Sequence, residues 1–111
     1  MTFETFDVVT VPFPFADSDQ SKRRPALILS QGEFQTKIGH SVMAMITSAK
    51  NPPWPLDVRI RNGSKTGLSA DSVVRMKLFT LDLRFVVRKI GRLSKEDRQA
   101  VLASLGRAIV H

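Results

Sequence analysis

A chain of 111 residues with 17 Lys and Arg, 10 Asp and Glu, no cysteine and 42% hydrophobic residues has room for one compact domain, whose core of about 60–70% buried surface needs no metal or disulfide staple. The missing cysteines exclude a disulfide framework, a cysteine nucleophile and cysteine-based zinc sites. No run approaches the roughly 18 apolar residues of a membrane helix, and the opening MTFETFDVV carries acid where a signal peptide carries Lys or Arg, so a cytoplasmic soluble protein is expected.

Charge changes along the chain. Residues 1–20 hold four acids and no base, while residues 21–111 hold six acids and all 17 bases, a body of +11. A polyanion is the natural partner of such a body, because cations that neutralise phosphates release condensed counterions. FDVVTVPFPF, residues 6–15, places Val9, Val11, Phe13 and Phe15 on one side at period two and reads as a first strand. Pro12 and Pro14 cannot donate to a ladder, so the far end of this strand is expected at an edge or outside the sheet. The polar run 16–24, ADSDQSKRR, reads as a loop, with Pro25 pushing Arg24 toward extended geometry.

PALILS, residues 25–30, suits a short buried strand, and QGEFQTKIG reads as a loop. In HSVMAMITS, residues 40–48, His40, Val42, Ala44 and Ile46 alternate with Ser41, Met43, Met45 and Thr47, a third strand. The prolines of KNPPWP, residues 50–55, exclude regular structure there. Leu56, Val58 and Ile60 then alternate with Asp57, Arg59 and Arg61 as a half-exposed strand. NGSKTG, residues 62–67, supplies an Asn-Gly turn, and SVVRM, FTL and FVVRKIGRL follow as strand candidates. From Ser94 the period lengthens. Ser94 caps a helix with Glu96 and Asp97 in its first turn and a stripe of Val101, Leu102, Leu105, Ala108 and Ile109. The expected fold is mostly β (α+β), five to seven strands with a C-terminal helix in a single domain spanning residues 1–111.

Little catalytic chemistry stands out. GSKT, residues 63–66, has Ser64 where the Gly-Lys-Ser/Thr of a phosphate loop requires its lysine, and reads as a turn. His40 and His111 are too far apart in sequence to form a metal-ligand pair, so no metal is expected. With no tyrosine, and Trp54 isolated among prolines, aromatic RNA-stacking motifs of the RRM kind are missing. One loop concentrates opposite charges, Asp17, Asp19, Lys22, Arg23 and Arg24, and opens onto an apolar strand. It is either a binding site or a solvated hairpin connection whose ion pairs contribute roughly 0–1 kcal/mol.

DVVTVPFPF, the loop leading into RRPALILS, the strand ending MITSAK, PWPLDVRI, GLSADSVVRMKLFTLD and RKIGRLS occur in the order and spacing of a known family over residues 6–109. In these segments the chain resembles the MazF/PemK toxins of type II toxin-antitoxin systems. The resemblance implies an SH3-like barrel, a homodimer, and a sequence-specific mRNA interferase that needs no cofactor and is held inactive by a cognate antitoxin. It implies that Arg24, directly before the proline of RRP, is the catalytic arginine and that Thr47 helps to hold the scissile phosphate. Asp19 stands where the best-known members carry a loop glutamate. Lys22, Arg23, Ser48, Arg75 and Lys77 are the expected RNA contacts. Lys77 departs from the pattern, since one relative places a catalytic aspartate there, and Asp19 is left as the available carboxylate.

These side chains suit metal-free cleavage of single-stranded RNA, in which the 2′-hydroxyl attacks its own phosphate and the protein supplies alignment and charge. Asp19 either takes the 2′-hydroxyl proton or orients Arg24. Two other readings compete: a gyrase-directed toxin resembling CcdB, and a noncatalytic SH3-like module that binds nucleic acid through an arginine face including Arg59 and Arg61.

Overall fold

The computed structural model describes residues 2–13 and 22–109. Pro14, Phe15, Asp17, Asp19 and His111 lie outside the described residues. The strands are β1 (Asp7–Phe13), β2 (Lys22–Ile28), β3 (His40–Ser48), β4 (Val58–Arg59), β5 (Ser72–Asp82) and β6 (Arg88–Arg92), with helices α1 (Gly32–Ile38) and α2 (Lys95–Ala108). They form one sheet in the order β4-β5-β3-β2-β1-β6, every pairing antiparallel. The sheet curls into a half-barrel with the C-terminal helix against it, as the β-rich pattern predicts.

β3 lies inside the sheet between β2 and β5, which is why Met43, Ala44, Met45 and Ile46 are buried in succession rather than alternately. Alternation along β1 and β2 then divides two cores. Val8, Leu27, Ala44, Ile46, Val58, Val74, Leu93 and Val101 pack on the α2 side. Val9, Val11, Ala26, Ile28, Met43, Leu81 and Leu83 pack on the other. Each fully buried Val, Leu or Ile removes about 1.5–3 kcal/mol of apolar exposure. Among the described residues β1 pairs with β6 as far as Thr10, and its proline-bearing end, Val11–Phe13, pairs with β2.

Four expectations are corrected. Residues 32–38 form α1 instead of a loop; its buried Gln35 donates to Phe3 and Ser30 carbonyls and accepts the Phe3 amide, a tertiary anchor that no periodicity reveals. Lys22, Arg23 and Arg24 belong to β2, because β1 pairs with them through Phe13, Pro12 and Val11. SVVRM and FTL are one strand, β5, whose register against β3 jumps from Ala44–Leu78 to Met45–Arg75 and leaves Met76 and Lys77 as a bulge. In α2 the stripe is only partly covered: Val101 is buried and Leu105 packs on the core, whereas Leu102 and Ile109 are about half exposed.

Asp97, read as a first-turn acid, is 1% exposed. Its carboxylate accepts the amides of Arg61 and Asn62 at 3.1 Å, while Ser94 Oγ accepts its own amide as the helix cap. The GSKT segment is a turn: the Thr66 amide and hydroxyl both donate to Gly63 O, at 3.1 and 2.7 Å. This turn closes on β6 through Arg92 N–H to Lys65 O, 2.8 Å. Two glycines permit the approach. Gly67 has φ +76, and a Cβ at Gly91 would lie 2.3 Å from Lys65 O.

Candidate functional site

β2 and β3 pair Ile28 with Met43, Leu27 with Ala44 and Ala26 with Met45. Extended two residues beyond this ladder, which ends at Ala26–Met45, the register brings Arg24 toward the level of Thr47. Both project on the side of Ala26, Ile28 and Met43, because side chains alternate along a strand. Lys22 shares that side. Arg23 points to the opposite one, so the structure separates it from Arg24 despite their adjacency in sequence. The three cations are all exposed at the end of β2, where Pro25 follows and the apolar run begins.

Thr47 is half-buried, and its Oγ1 accepts a hydrogen bond from Asn51 Nδ2 at 2.6 Å. A hydroxyl loaded in this way as acceptor keeps its own proton for an outside acceptor such as a phosphate oxygen. Asn51 is held by its amide bond to Ser48 O, 3.1 Å, and Ser48 Oγ accepts the Lys50 amide at 3.2 Å. Ser48 Oγ thus helps to shape the turn that positions Asn51, and by strand alternation Ser48 lies on the face opposite Thr47.

Lys77, on the β5 bulge, brings Nζ to 5.2 Å from the centroid of the Phe13 ring on β1. β3 and β2 lie between these strands in the sheet, so the contact spans the face on which Arg24 and Thr47 project. Arg75 is engaged elsewhere. Its Nε and Nη2 grip the Asp57 carboxylate at 3.2 and 3.0 Å, Nη2 also donates to Pro52 O at 2.9 Å, and its guanidinium lies 4.9 Å from the Trp54 ring centroid. Both side chains of this ion pair are only 11% exposed. Arg75 thus fastens the 50–57 segment beside β3, and the RNA contact expected of it would compete with three existing partners.

Asp57, Asn51 and Trp54 were not singled out as site residues by the sequence. Asp57 reads there as the polar side of a strand. The Trp54 amide donating to its carboxylate at 2.9 Å, three residues back, is the local feature that could have marked it. Partial burial alone pushes the Asp57 carboxyl up; the Arg75 hydrogen bond, the Trp54 amide and the Arg75 charge outweigh it, and the net shift is downward. A depressed folded value contributes stability above the unfolded aspartate value, about 3.9, that is lost as pH falls through the folded value. In denaturant titrations between pH 6 and 2.5, the stability advantage of the parent over Asp57→Asn should therefore be constant above about pH 4 and shrink below it. An advantage unchanged down to pH 2.5 would contradict this.

Among the described residues no three His, Asp or Glu side chains gather as a ligand set. The described end of the sheet presents Lys22, Arg24, Lys77 and the Thr47 hydroxyl on one face, with Arg75 neutralised at its margin. Asp19, the expected carboxylate, lies outside the described residues.

A family model described as PemK-like, MazF-like toxin of type II toxin-antitoxin system matches residues 4–109. No curated protein matches the chain. Among solved structures, a MazE-MazF complex from Deinococcus radiodurans superposes with a TM-score of 0.79 at 20% identity, covering 97% of this chain and 96% of that one. The Mycobacterium tuberculosis toxin MazF-mt6 gives 0.74 at 22% identity over 92% and 94% of the two chains. An endoribonuclease in complex with its cognate antitoxin, from a mycobacterial species, gives 0.73 at 16% identity over 96% and 92%. At these identities the likeness of the structures is one of fold.

Proposed function

The chain belongs to the PemK-like, MazF-like toxins of type II toxin-antitoxin systems, and from that membership we propose that it is a metal-independent, sequence-specific endoribonuclease of single-stranded RNA. The observation that supports the reading is that Arg24 and Thr47 project on the same side of neighbouring strands just past the last β2–β3 pair, with the Thr47 hydroxyl engaged by Asn51. The arginine and threonine have no evident purpose in a gyrase-directed toxin.

The substrate's 2′-oxygen attacks the adjacent phosphorus, a P–O2′ bond forms and the P–O5′ bond breaks. The 2′-hydroxyl proton leaves to a base, for which Asp19 is the proposed carboxylate, and a proton reaches the departing 5′-oxygen. Arg24 offers a planar fork of donors with a permanent charge to the non-bridging oxygens as charge develops on them. Thr47 adds a hydroxyl donor, and Lys22 and Lys77 hold flanking phosphates as point charges. Single strands are preferred because a stacked A-form helix holds the 2′-hydroxyl out of line.

Two of the neighbours named above are toxin-antitoxin complexes, which supports a cognate acidic antitoxin that silences this chain by occupying the same cations. The functional unit is proposed as a cytoplasmic homodimer of single-domain chains. The test is incubation of the purified protein with mixed single-stranded RNA in EDTA, followed by sequencing and end-group analysis. Cuts at a short recurrent sequence, with 2′,3′-cyclic phosphate and 5′-hydroxyl ends, are expected. No cleavage, or ends bearing 5′-phosphate, would overturn the reading.

A further inference from the structure

Trp54 is the chain's one tryptophan, and it is 44% exposed although it is fixed at three points. Its amide donates to Asp57, its carbonyl accepts the Asp57 amide at 3.2 Å, and the Arg75 guanidinium lies over its ring. Pro53 and Pro55 flank it. The next residue, Leu56, has φ +69, a conformation bulky residues rarely adopt and one that persists only where its surroundings determine it. A ring whose purpose was to fill a core would be covered. Here a rigid loop presents it to solvent.

Its location gives the exposure a meaning. Arg75, which carries the ring, pairs across the sheet with Met45, two residues before Thr47, and Asn51 of the same loop holds the Thr47 hydroxyl. An RNA strand whose phosphate is seated between Arg24 and Thr47 therefore passes the margin where the indole stands. We propose that Trp54 is a base-stacking platform for a nucleotide flanking the scissile phosphate, with Arg75 and Asp57 as the positioning residues that fix its ring. This deepens the endoribonuclease reading and rests on it. Stacking on an aromatic face tolerates any base, with larger rings held somewhat better, and a ring already immobilised loses little rotamer freedom when a base settles on it.

Because the fluorophore is unique, its emission reports this contact alone. The full-length protein is titrated with labelled 2′-O-methyl oligoribonucleotides, which lack the attacking hydroxyl, while anisotropy of the label follows binding. Trp54 emission should be quenched in step with binding, and in a series with one abasic position each, the quench should vanish at a single position. Trp54→Ala should weaken binding about tenfold, with Trp54→Phe recovering most of it. An oligonucleotide that binds without changing the emission, or a Trp54→Ala protein that binds within twofold of the parent, would overturn the proposal while leaving the cleavage reading intact. Failure of the parent to bind or cut any single-stranded RNA would remove both.

Discussion

Arg24→Lys should leave RNA binding nearly intact and lower the single-turnover cleavage rate about 10²-fold or more, the loss typical of one preorganised donor removed from developing charge. The substitution keeps the charge at the end of β2, so the long-range attraction of the basic face for phosphate survives. What it removes is the fork. A guanidinium can give two parallel hydrogen bonds to non-bridging oxygens, and an ammonium meets them as a single point. The strand holds the position: Arg24 is paired across β1 to Val11 and precedes a proline that fixes the local backbone. Arg59 provides the comparison. It is exposed on β4, ion-paired to Asp71 at 3.1 Å and separated from β2 by β5 and β3, so Arg59→Lys should barely change the chemical step. Measurement at saturating protein removes binding from the comparison. An Arg24→Lys rate within threefold of the parent, about 0.7 kcal/mol in barrier, would reduce Arg24 to an electrostatic anchor.

Gly91→Ala should have the largest effect on stability, a loss of at least about 3 kcal/mol, because the added methyl meets backbone and not a movable side chain. Its Cβ would lie 2.3 Å from Lys65 O, 2.3 Å from Thr66 C and 2.5 Å from Thr66 O. Relief requires β6 and the 63–67 turn to separate, which breaks the Arg92 amide bond to Lys65 O and opens the core beside Leu93, itself 1% exposed. The melting temperature should fall by more than about 10 °C, at roughly 4 °C or more per kcal/mol for a chain of this length. Gly32→Ala is the internal control. No atom lies within 4 Å of its added Cβ and its φ is not positive, so Ala at this first helical position should be neutral or stabilising by about 0.5 kcal/mol. Equal melting temperatures for Gly91→Ala and the parent would mean that the turn does not close on β6 as described.

The bounds of β3 were legible to the residue because HSVMAMITS lies between a glycine and a proline-rich loop, although Met43–Ile46 are buried in succession and not at period two. The period-two signal failed where tertiary contacts decide. α1 has only seven residues, too few for a helical period to declare itself, and is anchored by a buried glutamine that composition treats as polar surface. β5 was read as two strands because the Met76–Lys77 bulge interrupts the alternation that continues on either side. At the site, Arg24 and Thr47 were legible through the resemblance to a family; neither has a local signal that separates it from other strand-end residues. Trp54 and Asp57 acquire their roles from Arg75, which lies 18 residues beyond Asp57. Spacing along the chain cannot show that a tryptophan among prolines rests on a distant guanidinium.

If the 2′-hydroxyl next to the phosphate seated between Arg24 and Thr47 is the nucleophile, one substrate shows it directly. An RNA oligonucleotide containing the recognised sequence is compared, in EDTA and at saturating protein, with the same oligonucleotide carrying a single 2′-deoxynucleotide on the 5′ side of the scissile phosphate. The all-ribose strand should be cut, and the single deoxy substitution should abolish cleavage at that bond while binding is retained. Cleavage of the deoxy-substituted bond at a rate comparable to the parent would contradict it, because the attacking oxygen would then have to come from elsewhere.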